Sequence, residues 1–568
     1  METAKDTIEL ELADHYANYV RENKQEPNVK AFNEYLTGLG VDASTKKGDL
    51  SKIRELAFNR NEDLKSMALN ESYFTKEYFE KLENILKTSK KFIITTAVTG
   101  KAVKYDFFRA LQNWAVSNDG QILVLPSSDA KNSSTVFKLN FDPIFKNERT
   151  WIILNKDSGN DTTLSIDETP DGYYLNKHLW LSGVKTQAKT VNPIGGWDET
   201  VTSKDCSIIV GHPRQYLRHN SSLKTKFPKA VMSTGACTVN NYTNDKANSA
   251  KKASKAKEAH QFGAIIVEIS DENIFHFRQI QSIDGTQFTD LDTIYYSDGR
   301  RQLAENTTLV MGDSHAGATD MRLMKSIMSQ LVAIRVIDEI VLHDLCDSRP
   351  VSPHDQDKIM TNIEKVHRDR HLLMKNFEEI VHYLNMITDY GVHVVVVASN
   401  HDEHLNRALE NLPAKLKDCV NAEVLIKMSA YYITDQKGSL LKYCVENIPD
   451  CKLEHPDRIT WLVTDESYER YGCELGQHGH LGSNGSRGSL AQYHKYVNNC
   501  VIGHSHTAGI MGKTFQVGAT CDLDQGYNVG LSSWTRTCCL VHKDGTKQLV
   551  NFIKGEDGNY TFRNESHR

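Results

Sequence analysis

A chain of 568 residues is too long for one ordinary domain; at ~150 residues per domain it has room for roughly three or four. Its composition, 39% hydrophobic and 25% charged with 34 glycines and 12 prolines, is that of a globular chain and excludes collagen-like or low-complexity character. A net charge of −6, from 67 basic and 73 acidic side chains, excludes a globally basic nucleic-acid coat, so any surface for a polyanion must be local.

The first residues, METAKDTIELELADHYANYV, have neither the basic n-region nor the apolar h-region of a secretory signal. The longest apolar run, near Val392–Ala398, falls far short of the ~18 residues that span a bilayer. Eleven cysteines at non-repeating spacings, with no CxxC pair and an adjacent Cys538–Cys539, predict reduced thiols in a cytoplasmic protein without a membrane span.

Residues 1–90 predict a helical N-terminal segment. Lys30–Leu36 and Asp49–Phe58 place apolar residues three and four apart around a Gly-containing turn, the pattern of a helical hairpin. Its mixed charge favours packing or self-association over DNA reading. Residues 91–305 predict a mixed, β-rich domain, with strands at Lys91–Thr96, Gln121–Leu125, Trp151–Leu154 and Cys206–Val210. Lys246, Lys251, Lys252, Lys255 and Lys257 fall in an Ala/Ser/Asn-rich stretch that reads as a solvated helix or loop, with a phosphate-contacting arm as the alternative.

From residue 306 to the end, strands and helices alternate. Thr307–Met311 and Glu339–Leu342 read as strands, Met321–Ile337 as helical, and Val392–Ala398 as a buried strand. Asp357–Tyr390 reads as one helix, about 50 Å long if unbroken, and a surface for self-association. Residues 412–457 read as an insertion. Arg458–Val463, Val497–Ile502 and Cys538–Val541 are further strands. This order predicts an α/β domain with a layered core.

The chemistry-bearing residues follow those strands: Gly312-Asp313-Ser314-His315, His343-Asp344-Leu345-Cys346-Asp347, Asn400-His401-Asp402, Gln477-His478-Gly479-His480 and Gly503-His504-Ser505-His506. Ligands of α/β sheets bind in the crevice at the carboxyl ends of strands, so five such clusters are expected to converge. Carboxylates, an amide oxygen and imidazoles suit two divalent ions, Mn²⁺, Fe²⁺ or Zn²⁺, and no thiolate is placed to favour zinc alone. Asp344 is the choice for a bridging ligand. Such a pair of ions activates water and stabilises a phosphoryl transition state.

Gly-Asp-x-His, Asp-x-x-Asp, Asn-His-Asp, His-Gly-His and Gly-His-x-His, in this order over residues 306–540, resemble the calcineurin-like metallophosphoesterase superfamily. The resemblance implies a layered β-sandwich flanked by helices. It implies one ion on Asp313, His315, Asp344 and His506, and a second on Asp344, Asn400, His478 and His504. It makes His401 the general acid or phosphate-stabilising group, with Asp402 orienting it. His478 is preferred to His480 because the family's ligand precedes the glycine. His343 departs from the family, which has glycine there, and adds a polar group beside the site.

Arg487, in the glycine- and serine-rich stretch Gly482–Ser489, is a candidate phosphate clamp. Arg349, Arg407, His343 and His480 are weaker candidates for substrate contact. The large region before the site is what a polymer substrate would favour, the form of the motifs is similar to that of the superfamily's recombination-repair nucleases, and the whole layout resembles its large tailed-phage proteins, the pre-early nucleases that degrade host DNA. The expectation is therefore a DNA-hydrolysing, Mn²⁺-dependent phosphodiesterase. The alternatives are a small-molecule or protein phosphoesterase and a DNA-binding scaffold with a vestigial site.

Overall fold

The apolar runs Lys91–Thr96 and Gln121–Leu125 lie in strands, and Trp151 and Ile152 of the third run end another, Leu154 falling outside the described residues. The computed structural model describes the chain except residues 1–3, 24–28, 40, 42–49, 51, 54–55, 58–75, 129–142, 154–170, 185, 225, 227, 243–246, 334–335, 356, 417–418, 435–437, 527 and 565–568. The chain divides into two units, Met1–Glu83 with Gly159–Glu168, and Asn84–Ser158 with Thr169–Arg568. The first has helices Ala4–Asn23 and Val29–Gly38, joined by a core that includes Ala13, Tyr16, Phe32 and Leu36. The Tyr16 and Phe32 rings meet edge to face at 5.5 Å. The helix expected at Asp49–Phe58 lies partly outside the described residues; Leu50, Lys52, Ile53, Leu56 and Ala57 are helical.

The second unit is mixed α/β. Its first sheet has six strands, with Lys91–Val98 central, parallel to Gln121–Ser128 and antiparallel to Phe262–Ile269. The helix Tyr105–Ser117 crosses between the two parallel strands and buries Phe107, Phe108, Leu111 and Trp114. The lysine-rich stretch forms the helix Ala247–Glu258: Ala253 and Ala256 face inward, whereas Lys251, Lys252, Lys255 and Lys257 are exposed. Lys246 lies outside the described residues.

Two further sheets position the site. One runs in the order Ile459–Trp461, His393–Val396, Ile337–Leu342, Thr307–Val310, Thr537–Val541, Lys547–Asn551, the first four parallel and the last two antiparallel to their neighbours. Val394, Val395 and Val396 are buried, which explains a run without polar alternation. The other is a ten-stranded sheet. It joins Cys500–Ile502, Thr514–Gln516 and Gly509–Met511 to Tyr216–Asn220 and Lys229–Ser233, so strands from both sides of residue 305 share it.

One expectation is corrected. Asp357–Tyr390 is not one helix but two, Ile359–His367 and Leu373–Thr388. Asp369 adopts φ 55°, a left-handed conformation that ends the first helix, and the Arg370 N–H bonds the Lys365 carbonyl at 2.8 Å. Phe377, Ile380, Leu384 and Ile387 are buried, but Ile359 is 74% and Val366 56% exposed, so only the second helix carries its apolar face into the core. The 412–457 segment is largely helical, with Ala422–Thr434 and Leu440–Asn447 adding Leu425, Met428, Leu441 and Cys444 to that core. Among the described residues, no helix is long and apolar enough to cross a membrane.

Candidate metal centre

All five motifs occupy turns beyond strand ends, where backbone geometry is set by close approach of chains. The first two are zipped together: the N–H groups of Ser314, His315 and Ala316 donate to the carbonyls of His343, Asp344 and Leu345 at 3.1, 2.8 and 2.8 Å. A Cβ on Gly312 would stand 2.7 Å from the Gly518 carbonyl oxygen, so glycine is needed where this turn meets the loop after Thr514–Gln516. His315, Asp344, His504 and His506 have positive φ values of 45°, 47°, 72° and 57°. Non-glycine residues rarely adopt this region, and such strain gathers at functional sites.

These turns bring the predicted ligands together. Asp313, His315, Asp344 and His506 each offer an atom within 4.8 Å of the others, and all four are buried. His506 Nε2 is 3.1 Å from Asp313 Oδ2 and 3.0 Å from His315 Nε2; His315 Nε2 is 3.4 Å from Asp344 Oδ2. A second group faces the same carboxylate. His478 Nε2 lies 3.7 Å from Asp344 Oδ2, and Asn400 Oδ1 is 3.1 Å from His478 Nε2 and 3.0 Å from His504 Nδ1. Asp344 therefore stands between the two groups expected to share it.

The electrostatics suit a cation. Burial would raise the Asp344 carboxyl, but the imidazoles of His401, His315 and His478 hold it well below the usual carboxylate range. Burial alone would likewise lower His315, yet Asp344 and Asp347 raise it to about 9. Burial keeps His478 and His504 low, in the neutral form that ligates metals. Among the described residues no Lys or Arg is ion-paired with Asp313 or Asp344, and buried Asp344 Oδ1 has no hydrogen-bond partner. Carboxylates buried among imidazoles, with no Lys or Arg paired to them, form a donor set of oxygen and nitrogen that fits a divalent ion.

The other predicted residues divide. His401 sits at the edge of the group, its side chain 20% exposed, with Nε2 3.8 Å from Asp344 Oδ2. Asp402 does not orient it. His401 Nδ1 bonds the Asp347 carbonyl oxygen at 2.7 Å, while Asp402 Oδ2 accepts the Ser399 N–H at 2.9 Å and so closes the turn. Burial pushes the Asp402 carboxyl up to about 8. His343 is fully buried, its ring 5.6 Å from that of His478, so it backs the site and does not line it. His480 Nε2 faces Glu403 at 3.5 Å. Arg487 is exposed, in a turn closed by the Gly482 N–H to Ser486 carbonyl bond. Arg349 is buried and donates to the Gln525 carbonyl at 2.7 Å, and Arg407 pairs with Glu403 at 3.2 Å on its own helix. Neither arginine is presented as a clamp.

Sequence reasoning quoted Asp347 but gave it no role. Its Oδ1 lies 3.5 Å from His315 Nδ1 and its carbonyl holds His401, so the Asp-x-x-Asp spacing carried the signal. It also missed Trp534, whose ring packs 4.1 Å from His506. One thiol does approach the site, because buried Cys521 groups with His315 and His506. Burial, reinforced by the charges of Asp313, Asp347 and Asp344, holds its thiol well above its ordinary value, which leaves oxygen and nitrogen as the ready donors.

Gly503 gives a direct test of this geometry. A Cβ there would collide with Asp313 Oδ1, the atom that accepts the His504 N–H at 3.1 Å. Gly503→Ala is expected to weaken Mn²⁺ binding by roughly 10–100-fold, as loss of groups that orient a ligand does, measured by calorimetric titration. Unchanged affinity would remove Asp313 from the ligand set.

No family model matches the chain. The chain is similar to a bacteriophage protein, Protein A1 of Escherichia phage T5, at 27% identity over 493 residues that cover 83% of each chain.

Proposed function

We propose that this protein is a metal-dependent phosphodiesterase of the calcineurin-like metallophosphoesterase type that hydrolyses DNA. The observation that carries the reading is the convergence on Asp344 of two donor groups from five separate turns. We take the sheet bearing Asp313, Asp344 and Asn400 and the strands bearing His478 and His504 as the two layers of the sandwich. The similarity to a phage protein supports a setting in which DNA is the polymer at hand, the cytoplasm of an infected host.

Asp313, His315, Asp344 and His506 would hold one ion, and Asp344, Asn400, His478 and His504 the other. Two such ions supply polarisation of the scissile phosphate and a nucleophile from water at neutral pH. The chain's own residues do the rest. Asp344 stays ionised beside the imidazoles and fixes the spacing of the two groups. The Asp347 carbonyl takes the Nδ1–H of His401, which aims Nε2 toward the phosphate position beside Asp344. There a protonated His401 donates to the departing oxygen.

Purified protein is expected to degrade DNA with Mn²⁺ and to lose that activity on chelation. Hydrolysis of bis-p-nitrophenyl phosphate with DNA left intact would instead make it a phosphoesterase for small molecules.

A further inference from the structure

A cleft runs away from the metal centre on the far side of Trp534. Its volume is about 380 Å³, within the ~300–1,000 Å³ of small-ligand pockets. Its walls come from six strands and their turns, and they carry four aromatic side chains: Phe275, Phe277, Trp534 and Phe552. The rings of Phe275 and Phe277 lie at 6.3 Å and 29°, presenting roughly parallel faces. Trp534 is the shared wall, since the same ring packs against His506, and the next residue, Thr535, donates its N–H to the His506 carbonyl at 2.9 Å.

The cleft reverses the charge of the chain. In a protein of net charge −6, Lys226, Lys229, Arg536 and Lys554 line this one space. Asp205 is the one carboxylate lining it among the described residues, and it sits 3.5 Å from Lys226 and 3.3 Å from Lys229.

Flat apolar faces and a lining in which four cations meet one carboxylate, with Lys226 and Lys229 sharing Asp205 and Arg536 paired with Asp320 at 3.5 Å, together describe a nucleotide: stacking for the base, positive charge for its phosphates. We propose that this cleft binds an unpaired nucleobase of the substrate strand, one step from the scissile phosphate; this rests on the reading of the centre as a DNase. A base inside a duplex cannot reach such a space without leaving its stack. The site therefore favours single-stranded ends and gaps over blunt duplex.

The test compares a twelve-nucleotide thymidylate strand with an abasic strand of equal length, both phosphorothioate-linked to slow cleavage. Binding to the full-length Mn²⁺-loaded protein is read by fluorescence anisotropy. The thymidylate strand is expected to bind roughly ten-fold more tightly, the value of one stacked base. Phe275→Ala should bring that ratio near one, and Phe275→Trp should keep it. Melting curves and Mn²⁺ titration check that the variants retain fold and metal site. Equal binding of the two strands by the unaltered protein, or a ratio indifferent to Phe275→Ala, would overturn the cleft proposal alone if ordinary DNA is still degraded. Failure to degrade any DNA with Mn²⁺ would overturn the DNase reading and the cleft with it.

Discussion

Asp344→Asn is expected to lower kcat for Mn²⁺-dependent DNA hydrolysis by on the order of 10³-fold or more, about 4 kcal/mol of barrier. Asp344 faces imidazoles of both donor groups. Its Oδ2 is 3.4 Å from His315 Nε2 on one side and 3.7 Å from His478 Nε2 on the other, and the residue is 1% exposed. Asparagine preserves its shape and one oxygen but removes the charge. The ions would then lose a shared anionic ligand where water offers no replacement screening. Mn²⁺ titration should show the loss as weaker binding at both sites, because the carboxylate is common to them. Thermal melting of the metal-free variant is expected to fall, because Asp344 raises buried His315 and the change takes that carboxylate from beside it, so kcat is compared at a temperature where both proteins are folded. A kcat within three-fold of the parent would place the reaction elsewhere.

The sequence marked the residues that meet at this centre because metal-binding chemistry calls for particular residue types at fixed offsets from strand ends. Asp313, His315, Asn400, His478, His504 and His506 meet at the distances above, although their motifs are spread over almost two hundred residues. Strand periodicity was legible for the same reason: runs such as Val394–Val396 have no polar side chain to offer water. What was not legible is long-range. Apolar spacing continues across Arg368–Leu372, and nothing local says that Ile359 and Val366 face solvent while Phe377 and Leu384 face the core. The orienter of His401 was misassigned because sequence proximity favoured Asp402, whereas a carbonyl more than fifty residues earlier makes the bond. Trp534 and the Phe275–Phe277 pair were invisible to a motif search, since aromatic residues far apart in sequence form a surface only once the sheets have assembled. The charge of −6 excluded a basic coat but could not reveal one small cationic cleft.

His401→Ala should separate chemistry from metal binding. The side chain is held by one hydrogen bond, Nδ1 to the Asp347 carbonyl at 2.7 Å, and it is more exposed than Asp313, His315, Asp344, His478 or His506. Removing it takes away no group assigned to either ion, so Mn²⁺ affinity is expected to stay within a few-fold. The loss belongs to proton donation at the leaving oxygen, worth typically 10²–10⁴-fold in kcat. That assignment predicts a dependence on the leaving group. An alkoxide departing from DNA needs a proton, and its hydrolysis should fall by the full factor. A p-nitrophenolate leaves without one, so hydrolysis of bis-p-nitrophenyl phosphate should fall less than about ten-fold. Equal losses on the two substrates would mean that His401 stabilises the phosphate itself. A parallel collapse of Mn²⁺ binding would make it a ligand, with Nε2 at 3.8 Å from Asp344 Oδ2 already close enough to share that carboxylate's ion.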